Sequence, residues 1–464
     1  MPTIVSNLPI LVEHAKEGPP LVLRINSYGW KGFFETQIIQ CADEGLVHKR
    51  GQTLREVANR ACSVAELRAG SAAPRCNLPE SRLRRRRNLP DMAIAWSDTP
   101  PAEFADLARR LWSGETPQSA AAAQRALLDA HVSSPFRVGW VAVDVPGYGE
   151  QLICTLEINP DADGTPIVWA HGAGAGLAFG YANFDTLANL GGRPRRLLAF
   201  DWLGQGNSSR PNFPTNDWTP RWTLTADAYT ELALRFFVDS LEAWRQAVHV
   251  ERMDLIAHST GGYVAVHFAL QHPHRVRNLV LNSAAGLGSH PAAPPADAPK
   301  HLLARAKPIW DNGWLHFGMV KIFGPLRETA RARFVRFAKA RMGIADADEA
   351  SLLFAYFWGY MNSHPISSDA WTAALLTPVA GVEHSGVYGR RPIADEPAEA
   401  LATLTMPVLV IFGSDDWIFT PSVRAFVAKL PTATLHMVNG GKHHLYRHLP
   451  EEFRAIVGAA LREE

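Results

Sequence analysis

Cysteine is scarce in this chain, which has only Cys41, Cys62, Cys76 and Cys154 among 464 residues. Without a C-x-x-C pair they indicate neither a zinc site nor a disulfide framework. The net charge is only +1, which removes the bulk electrostatic argument for nucleic acid. No apolar run is long enough to span a bilayer, and the N-terminus lacks the regions of a secretory signal. We expect a cytoplasmic protein with no metal, no cofactor and no nucleic-acid partner.

The first 135 residues differ from the remainder in their pattern of apolar and charged residues. Residues 1–91 show no sustained apolar period and end in the basic run Arg84–Arg87. Such runs are usually solvated, so we expect a poorly structured N-terminal extension. A targeting role for the run leaves a mitochondrial location as an alternative. Residues 92–135 are expected to form a helical lead-in, with helices over Pro101–Trp112 and Gln118–His131.

From residue 136 onward, apolar strands alternate with amphipathic helices. The predicted strands are Val138–Val145, Gln151–Ile158, Pro166–Ala170, Arg196–Phe200, Met253–Ala257, Val276–Asn282, Pro407–Phe412 and Thr434–Val438. The helices predicted between and after them are Tyr181–Leu190, Ala226–Val248, Tyr263–Gln271, Pro421–Leu430 and Pro450–Leu461. Such alternation builds βαβ units. Residues 136–464 are therefore expected to form one α/β domain, with a mostly parallel central sheet flanked by helices.

Residues 284–395 interrupt this alternation with a stretch that is helical and rich in aromatic residues. An insertion placed over the carboxyl ends of sheet strands is typical of a lid. Within it, Leu326–Met342 is basic on one face and apolar on the other. That pattern is expected of a solvated helix, and also of a helix that contacts an anionic lipid surface.

The segment Arg252–Val264 reads R-M-D-L-I-A-H-S-T-G-G-Y-V and predicts a buried strand that turns abruptly into a helix at Ser259. Such a nucleophile elbow is a tight turn and requires small residues two positions before and two positions after the serine, here Ala257 and Gly261. Alanine replaces the usual glycine at the first of these. The turn would expose the Ser259 hydroxyl and aim the Thr260 backbone N–H at a developing oxyanion.

A serine nucleophile needs a general base, and the base needs a carboxylate to orient it. In elbow proteins the chain order is serine, acid, histidine, each at a strand end. After the strand ending at Phe412 come Asp415 and Asp416, of which we favour Asp416. After the last strand come His443 and His444, of which we favour His443.

A glycine-rich loop, His171–Gly176, follows the strand Pro166–Ala170. It lacks the Lys-Ser/Thr of a phosphate-binding loop. Its small residues would instead let backbone N–H groups approach a tetrahedral intermediate. We expect the N–H groups of Ala173 and Thr260 to form the oxyanion hole. His171 is expected to shape this loop through hydrogen bonds, and His258 to pack beside the elbow.

Residues from about 136 to 464 resemble the α/β-hydrolase fold. More narrowly, they resemble the lysophospholipid and N-acyl-phospholipid lipases, a group that also contains the lipid-droplet lipase co-activator, its plant relatives and the yeast cardiolipin deacylase. The similar segments are the elbow, Ala199–Pro211 (AFDWLGQGNSSRP), Phe237–Arg245 (FVDSLEAWR), Gly413–Ile418 (GSDDWI) and Pro450–Phe453 (PEEF). The first 135 residues lie outside the resemblance.

The resemblance implies a serine hydrolase that cleaves the acyl esters of phospholipids or lysophospholipids, with peripheral contact to membranes or lipid droplets. One alternative is a lysophospholipid acyltransferase. In the family this activity is associated with a histidine followed five positions later by aspartate, but His443 is followed at that spacing by His448. The other alternative is a non-catalytic lipase regulator, a role taken by members that lack the nucleophile. The presence of Ser259 favours catalysis.

Overall fold

The structure is a computed structural model. It describes strands between residues 3 and 46, and residues 94–96, 117–211, 225–293, 307, 310–311, 327–362, 372–382 and 385–462. The chain divides into two compact units, one of residues 1–91 with 217–223 and one of residues 92–216 with 224–464. The predicted helix over Pro101–Trp112 and the basic run Arg84–Arg87 lie outside the described residues.

The first unit contains a five-stranded antiparallel sheet in the order β1-β2-β3-β4-β5. Its strands are β1 (Thr3–Ile4), β2 (Ile10–Glu13), β3 (Val22–Tyr28), β4 (Phe34–Ala42) and β5 (Gly45–Leu46). Beyond these strands, the expectation that residues 1–91 are poorly structured stays a prediction.

A nine-stranded sheet in the order β16-β15-β12-β11-β9-β10-β8-β7-β6 organises the second unit. Its strands are β6 (Ala95–Trp96), β7 (Phe136–Val145), β8 (Gly149–Ile158), β9 (Ile167–Ala170), β10 (Leu197–Phe200), β11 (Met253–His258), β12 (Val276–Asn282), β15 (Val408–Gly413) and β16 (Ala433–Val438). Strands from β10 to β16 in this order pair in parallel, whereas β8, β7 and β6 pair antiparallel. The expected mostly parallel sheet is confirmed, and Ala95–Trp96 extends it ahead of residue 136.

Helices cover both faces of this sheet. The helices described in the second unit, two of which (α5 and α6) belong to the insertion, are α1 (Pro117–His131), α2 (Tyr181–Ala188), α3 (Ala226–Ala247), α4 (Thr260–Gln271), α5 (Arg327–Met342), α6 (Ala347–Asn362), α7 (Ala398–Leu401), α8 (Ser422–Ala428), α9 (Leu445–His448) and α10 (Pro450–Ala460). Limits agree closely with the sequence predictions: β12 has the predicted ends, and α3 ends one residue early. Within the described residues, no helix is long and apolar enough to cross a membrane.

The central strands are buried on both faces because helices pack on each side. Successive residues of β9 therefore enter different hydrophobic clusters: Trp169 packs in one, and Val168 packs in the other. Trp244 of α3 is fully buried against the second of these faces, and its indole N–H donates to Thr155 Oγ1 at 2.9 Å. This two-sided burial explains why these strands are apolar runs rather than alternating sequences.

Strand register brings the functional loops to one edge of the sheet. Ala257 of β11 lies beside Ala170 of β9 and Leu281 of β12. Gly413 of β15 lies beside Val438 of β16. Because parallel strands end at the same edge, the loops that follow β9, β11, β12, β15 and β16 converge there.

The insertion between β12 and β15 is not purely helical. It contains α5 and α6, but also the antiparallel pair β13 (Leu376–Val379) and β14 (Gly386–Gly389). Helix α6 packs closely on α1: a Cβ on Gly359 would lie 3.0 Å from Ala120 Cα. This close approach anchors the insertion to the body of the second unit.

Candidate active site

Ser259 forms the turn between β11 and α4. Its backbone has φ 53° and ψ −123°, a region that side-chain-bearing residues rarely adopt and that costs on the order of 1–3 kcal/mol. Its N–H donates to Asn282 O at 3.1 Å, and its carbonyl accepts from the N–H groups of Gly262 and Ala285 at 3.0 Å each. These bonds hold the strained turn against the end of β12.

Tight contacts explain the small residues around the turn. A Cβ on Gly261 would lie 2.2 Å from His171 O, and one on Gly262 would lie 2.5 Å from Ala284 Cβ. Ala257, in the position where glycine is usual, lies inside β11 and packs into the apolar core. Its methyl group is therefore accommodated, and the closest approaches come after the serine rather than before it.

His443 joins Ser259 to Asp416. His443 Nε2 lies 3.1 Å from Ser259 Oγ, and His443 Nδ1 lies 3.0 Å from Asp416 Oδ1. Asp416 Oδ1 also accepts from the Ile418 N–H at 3.0 Å. Burial alone would raise the pKa of Asp416, but the adjacent His443 and these hydrogen bonds hold it below its ordinary value. A neutral imidazole protonated on Nδ1 satisfies both bonds, with Nε2 free to accept the serine proton.

The two alternatives considered from the sequence have other partners. Asp415 is exposed, and its carboxylate accepts from Ser414 Oγ at 3.1 Å. The ring of His444 hydrogen-bonds the Tyr446 hydroxyl at 3.3 Å, and burial holds its pKa well below the ordinary value. The structure thus brings together the favoured residues of each pair.

The glycine-rich loop after β9 lies against the elbow. A Cβ on Gly172 would come within 2.8 Å of Ser259 Cβ. Ala173 and Thr260 line the same cavity as Ser259. In the described part of the chain, neither the Ala173 nor the Thr260 N–H has a recorded acceptor. Both are therefore free to donate to a ligand oxygen, as the oxyanion-hole prediction requires.

Two buried histidines support the loops. The pKa of His171 is lowered by burial to about 4, so the ring is neutral and its Nε2 accepts from the Trp202 N–H at 3.2 Å. The pKa of His258 is lowered to about 3, first by burial and then by His443. Its Nε2 lies 3.0 Å from His443 O, to which the neutral ring donates. As expected from the sequence, His171 shapes the loop and His258 packs beside the elbow.

Asp201 is a support that the sequence did not identify. Its fully buried carboxylate accepts from the Leu177 N–H at 2.6 Å and from the Asn207 N–H at 2.7 Å. Burial raises its pKa to about 7. A Cβ on Gly206, at φ +52°, would overlap this carboxylate at 2.1 Å. The sequence signals were the position of Asp201 at the end of a strand and its place in the family-like segment Ala199–Pro211, neither of which indicates a structural role.

Helix α6 also reaches the glycine-rich loop. The Tyr360 hydroxyl donates to Gly174 O at 2.8 Å, while Gly174 N–H donates to Gln205 Oε1 at 3.2 Å. Tyr360 is 1% exposed, so its hydroxyl is buried and Gly174 O gives it a hydrogen-bond partner. The insertion therefore contacts the same loop that carries Ala173.

A cavity of about 560 Å³ contains the Ser259 side chain. Its wall includes apolar side chains from the insertion, among them Trp310, Phe334, Phe337, Met342, Phe357, Leu376 and Val387. Arg341 and Lys442 line it as well, and its described wall contains no aspartate or glutamate. In the described part of the chain, no cluster of three His, Cys, Asp or Glu side chains could hold a metal ion.

We expect acid to destabilise the protein steeply below pH 6.5. His171, His258 and His267 have folded-state pKa values of about 4, 3 and 3, below the ordinary 6.5, chiefly because of burial. Each neutral histidine contributes its full stabilisation to the folded state above the pKa of the unfolded chain. As pH falls from that pKa to the folded-state pKa, the free energy of unfolding decreases by up to about 1.4 kcal/mol per pH unit for each group. Asp201 acts oppositely, because its raised pKa makes the folded state bind a proton first. His444, whose pKa burial also holds well below the ordinary value, acts in the same direction as these three. The buried histidines therefore outweigh the one carboxyl, and the melting temperature should fall between pH 6.5 and 4.

His267→Gln tests this account away from the cavity. The variant removes one histidine whose pKa is lowered by burial. Its melting temperature, measured by calorimetry, should therefore fall less steeply as the pH is lowered. A melting temperature that does not change from pH 7 to 4.5, or an identical slope in the variant, would contradict it.

The strand order and the elbow serine are the features that define an α/β hydrolase. A family model for the alpha/beta hydrolase fold matches residues 165–446, and the chain belongs to this family. The human "(Lyso)-N-acylphosphatidylethanolamine lipase" is 29% identical over 319 residues, covering 66% of this chain and 82% of that protein. An Arabidopsis thaliana "1-acylglycerol-3-phosphate O-acyltransferase" is 30% identical over 327 residues, covering 68% and 70%. The human "1-acylglycerol-3-phosphate O-acyltransferase ABHD5" is 27% identical over 308 residues, covering 66% and 80%.

These relatives confirm the group that the sequence resembles. They include proteins named as lipases and proteins named as acyltransferases, both of which act on lipids by name. The chain therefore has the α/β-hydrolase fold and is related to enzymes that act on lipids.

Proposed function

We propose that this protein is a serine hydrolase that cleaves the carboxylic ester bonds of lipids, with phospholipid or lysophospholipid acyl chains as substrates. The observation that carries the proposal is the hydrogen-bonded series Asp416, His443 and Ser259 in the wall of a largely apolar cavity. The named activities of the relatives support a lipid substrate over a small polar ester.

The reaction follows from this geometry. Ser259 Oγ attacks the ester carbonyl carbon while His443 Nε2 takes the hydroxyl proton. Asp416 accepts a hydrogen bond from His443 Nδ1–H and stabilises the imidazolium. The N–H groups of Ala173 and Thr260 donate to the tetrahedral oxyanion. His443 then returns the proton to the leaving alcohol, and water, activated by His443, releases the fatty acid from Ser259.

The cavity suits an amphiphilic ester. A volume of about 560 Å³ is within the usual range for small-molecule sites. Aromatic side chains from the insertion offer an apolar surface to an acyl chain, and we assign the insertion the role of a lid. Arg341 and Lys442 add positive charge without an opposing carboxylate in the described wall. This balance favours an ester whose headgroup carries a phosphate.

Replacing both cations should change headgroup preference. In Arg341→Gln/Lys442→Gln, we expect the ratio of kcat/KM for a short-chain anionic phospholipid to that for the matching neutral diacylglycerol to fall about tenfold, since a charged hydrogen bond contributes about 1.5–3 kcal/mol before solvent screening. Both substrates are used as monomers, so that binding to a lipid surface plays no part.

Arg336→Gln is the matched control. Arg336 is exposed on the same helix but does not line the cavity, and the ratio should stay at its original value. An equal fall in the control, or equal losses for both substrates in the double variant, would contradict headgroup recognition.

Acyl transfer is the second candidate, favoured by the likeness to the Arabidopsis acyltransferase. In that reaction a lysolipid hydroxyl replaces water in attacking the acyl-enzyme. Helix α9 places His448 beside Gly343, where a Cβ would lie 3.0 Å from His448 Cα. Product analysis with and without a lysolipid acceptor separates the two: free fatty acid in both conditions supports hydrolysis, whereas a diacyl product that requires the acceptor supports transfer.

A non-catalytic lipase regulator is the third candidate, and the intact serine, histidine and aspartate geometry counts against it. A regulator would bind a partner lipase and turn over no ester. Hydrolysis by the purified chain, lost in Ser259→Ala, would exclude this reading.

A further inference from the structure

Large apolar side chains are exposed at the opening of the Ser259 cavity. Phe337 is 47% exposed and Trp417 is 52% exposed, and both also line the cavity. The other exposed large hydrophobic residues of the described chain, Leu232 and Val382, do not line it. Exposed apolar groups grouped around one opening mark an interaction surface.

Helix α5 adds a strong positive charge to the same opening. Its exposed cations are Arg331, Arg333, Arg336, Lys339 and Arg341, and no acidic residue occurs between Arg331 and Met342. Ala338 and Met342, in contrast, are buried against the body of the protein. Two of the acidic side chains that follow are engaged locally: Asp346, just before α6, accepts from the Glu349 N–H at 2.7 Å, and Glu349 pairs with Arg447 at 2.6 Å. Asp348 of α6 is exposed.

We propose that this rim, made of Phe337, Trp417 and the exposed cations of α5, docks on an anionic lipid surface. Phe337 and Trp417 enter the interfacial layer, where aromatic rings are favoured. The cations meet lipid phosphates, and each of them strengthens binding to such a surface. The inference rests on the proposed function, because docking at the cavity opening lets a lipid pass from its surface to Ser259 without crossing bulk water.

Charge and aromatic chemistry together select this partner over others. An acidic protein would pair with the cations, but it would not account for exposed aromatic rings beside an apolar cavity. A second copy of this chain would bring five like charges on α5 against a rim of the same sign, which costs free energy. A lipid surface satisfies both the cations and the exposed rings.

Vesicle co-sedimentation of the full-length chain tests the proposal. The Ser259→Ala protein is used throughout, so that no lipid is consumed and the outcome does not depend on catalysis. We expect binding to vesicles of phosphatidylcholine with phosphatidylglycerol, weakened by salt, and little binding to phosphatidylcholine alone. Adding Arg336→Gln/Lys339→Gln should weaken binding at least tenfold, and Phe337→Ala/Trp417→Ala should weaken it by a similar factor.

Leu232→Ala/Val382→Ala is the matched control, since these exposed hydrophobic residues lie off the cavity, and its binding should equal that of the parent. Equal binding by all variants would overturn the proposal, as would equal binding to neutral vesicles. A change of oligomeric state in the rim variants, without a change in vesicle binding, would assign the surface to self-association instead.

The charge variant also separates this inference from the proposed function. With Ser259 intact, Arg336→Gln/Lys339→Gln should hydrolyse a soluble short-chain ester at the original rate and lose activity only on anionic vesicles. Loss of soluble-ester turnover in that variant would contradict a pure docking role. If the unaltered chain hydrolyses no ester but binds anionic vesicles through the rim, the proposed function fails and the docking inference stands.

Discussion

Ser259→Ala is expected to reduce kcat/KM for a lipid ester by at least about 10⁴-fold. The variant keeps the oxyanion donors and the cavity but loses the atom that attacks the carbonyl. The Ser259 hydroxyl lies 3.1 Å from His443 Nε2, and alanine offers that nitrogen no proton to accept. Turnover of a chromogenic acyl ester and of a phospholipid, measured on the same purified preparations, gives the loss.

Folding of Ser259→Ala must be checked in parallel. The backbone at φ 53° is held by hydrogen bonds of the main chain rather than of the side chain, so the melting temperature should stay close to that of the parent. Activity within tenfold of the parent, in a folded variant, would remove Ser259 from the mechanism.

Asp416→Asn is expected to reduce kcat by about 10³–10⁴-fold with a smaller change in KM. Asp416 Oδ1 accepts from His443 Nδ1 at 3.0 Å, which fixes the tautomer that leaves Nε2 free as the base. An asparagine amide can present N–H to the ring and stabilise the opposite tautomer, with the proton on Nε2. That histidine cannot accept the serine proton.

Asp415→Asn is the control offered by the chain itself, because Asp415 adjoins Asp416 and is exposed. Its substitution should change kcat less than about threefold, as is usual for an exposed side chain outside the site. The two variants share charge change and location, so the ratio of their kcat values measures the role of the carboxylate that contacts His443. Equal losses, or a larger loss at Asp415, would contradict the assignment.

The site was predicted mainly from the ends of the predicted strands and from the order of serine, acid and histidine along the chain. Apolar runs such as Met253–His258 and Val408–Gly413 are recognisable because both of their faces are buried. Ser259, Asp416 and His443 then follow β11, β15 and β16, in the chain order known for elbow proteins. The choice between Asp415 and Asp416 was less secure, because adjacent residues differ only in how the turn directs their side chains.

Other features depend on contacts that sequence periodicity does not show. Tyr360 bonds Gly174 across 186 positions of chain, and no local pattern links them. The pair β13–β14 was missed because Leu376–Val379 is short and contains Pro378, which argues against a strand interior. Ala257 departs from the usual pattern, yet its methyl group packs into the core, and the positions of the elbow that leave no room for a Cβ are Gly261 and Gly262.

The central claim, that Ser259 forms an acyl-enzyme, is tested most directly by mass spectrometry of the intact protein after reaction with a fluorophosphonate. We predict one covalent adduct, which peptide mapping locates on Ser259, and loss of labelling in Ser259→Ala. Labelling should also slow greatly in Asp416→Asn but not in Asp415→Asn. A folded protein that takes up no label, or an adduct on any other residue, would contradict the claim.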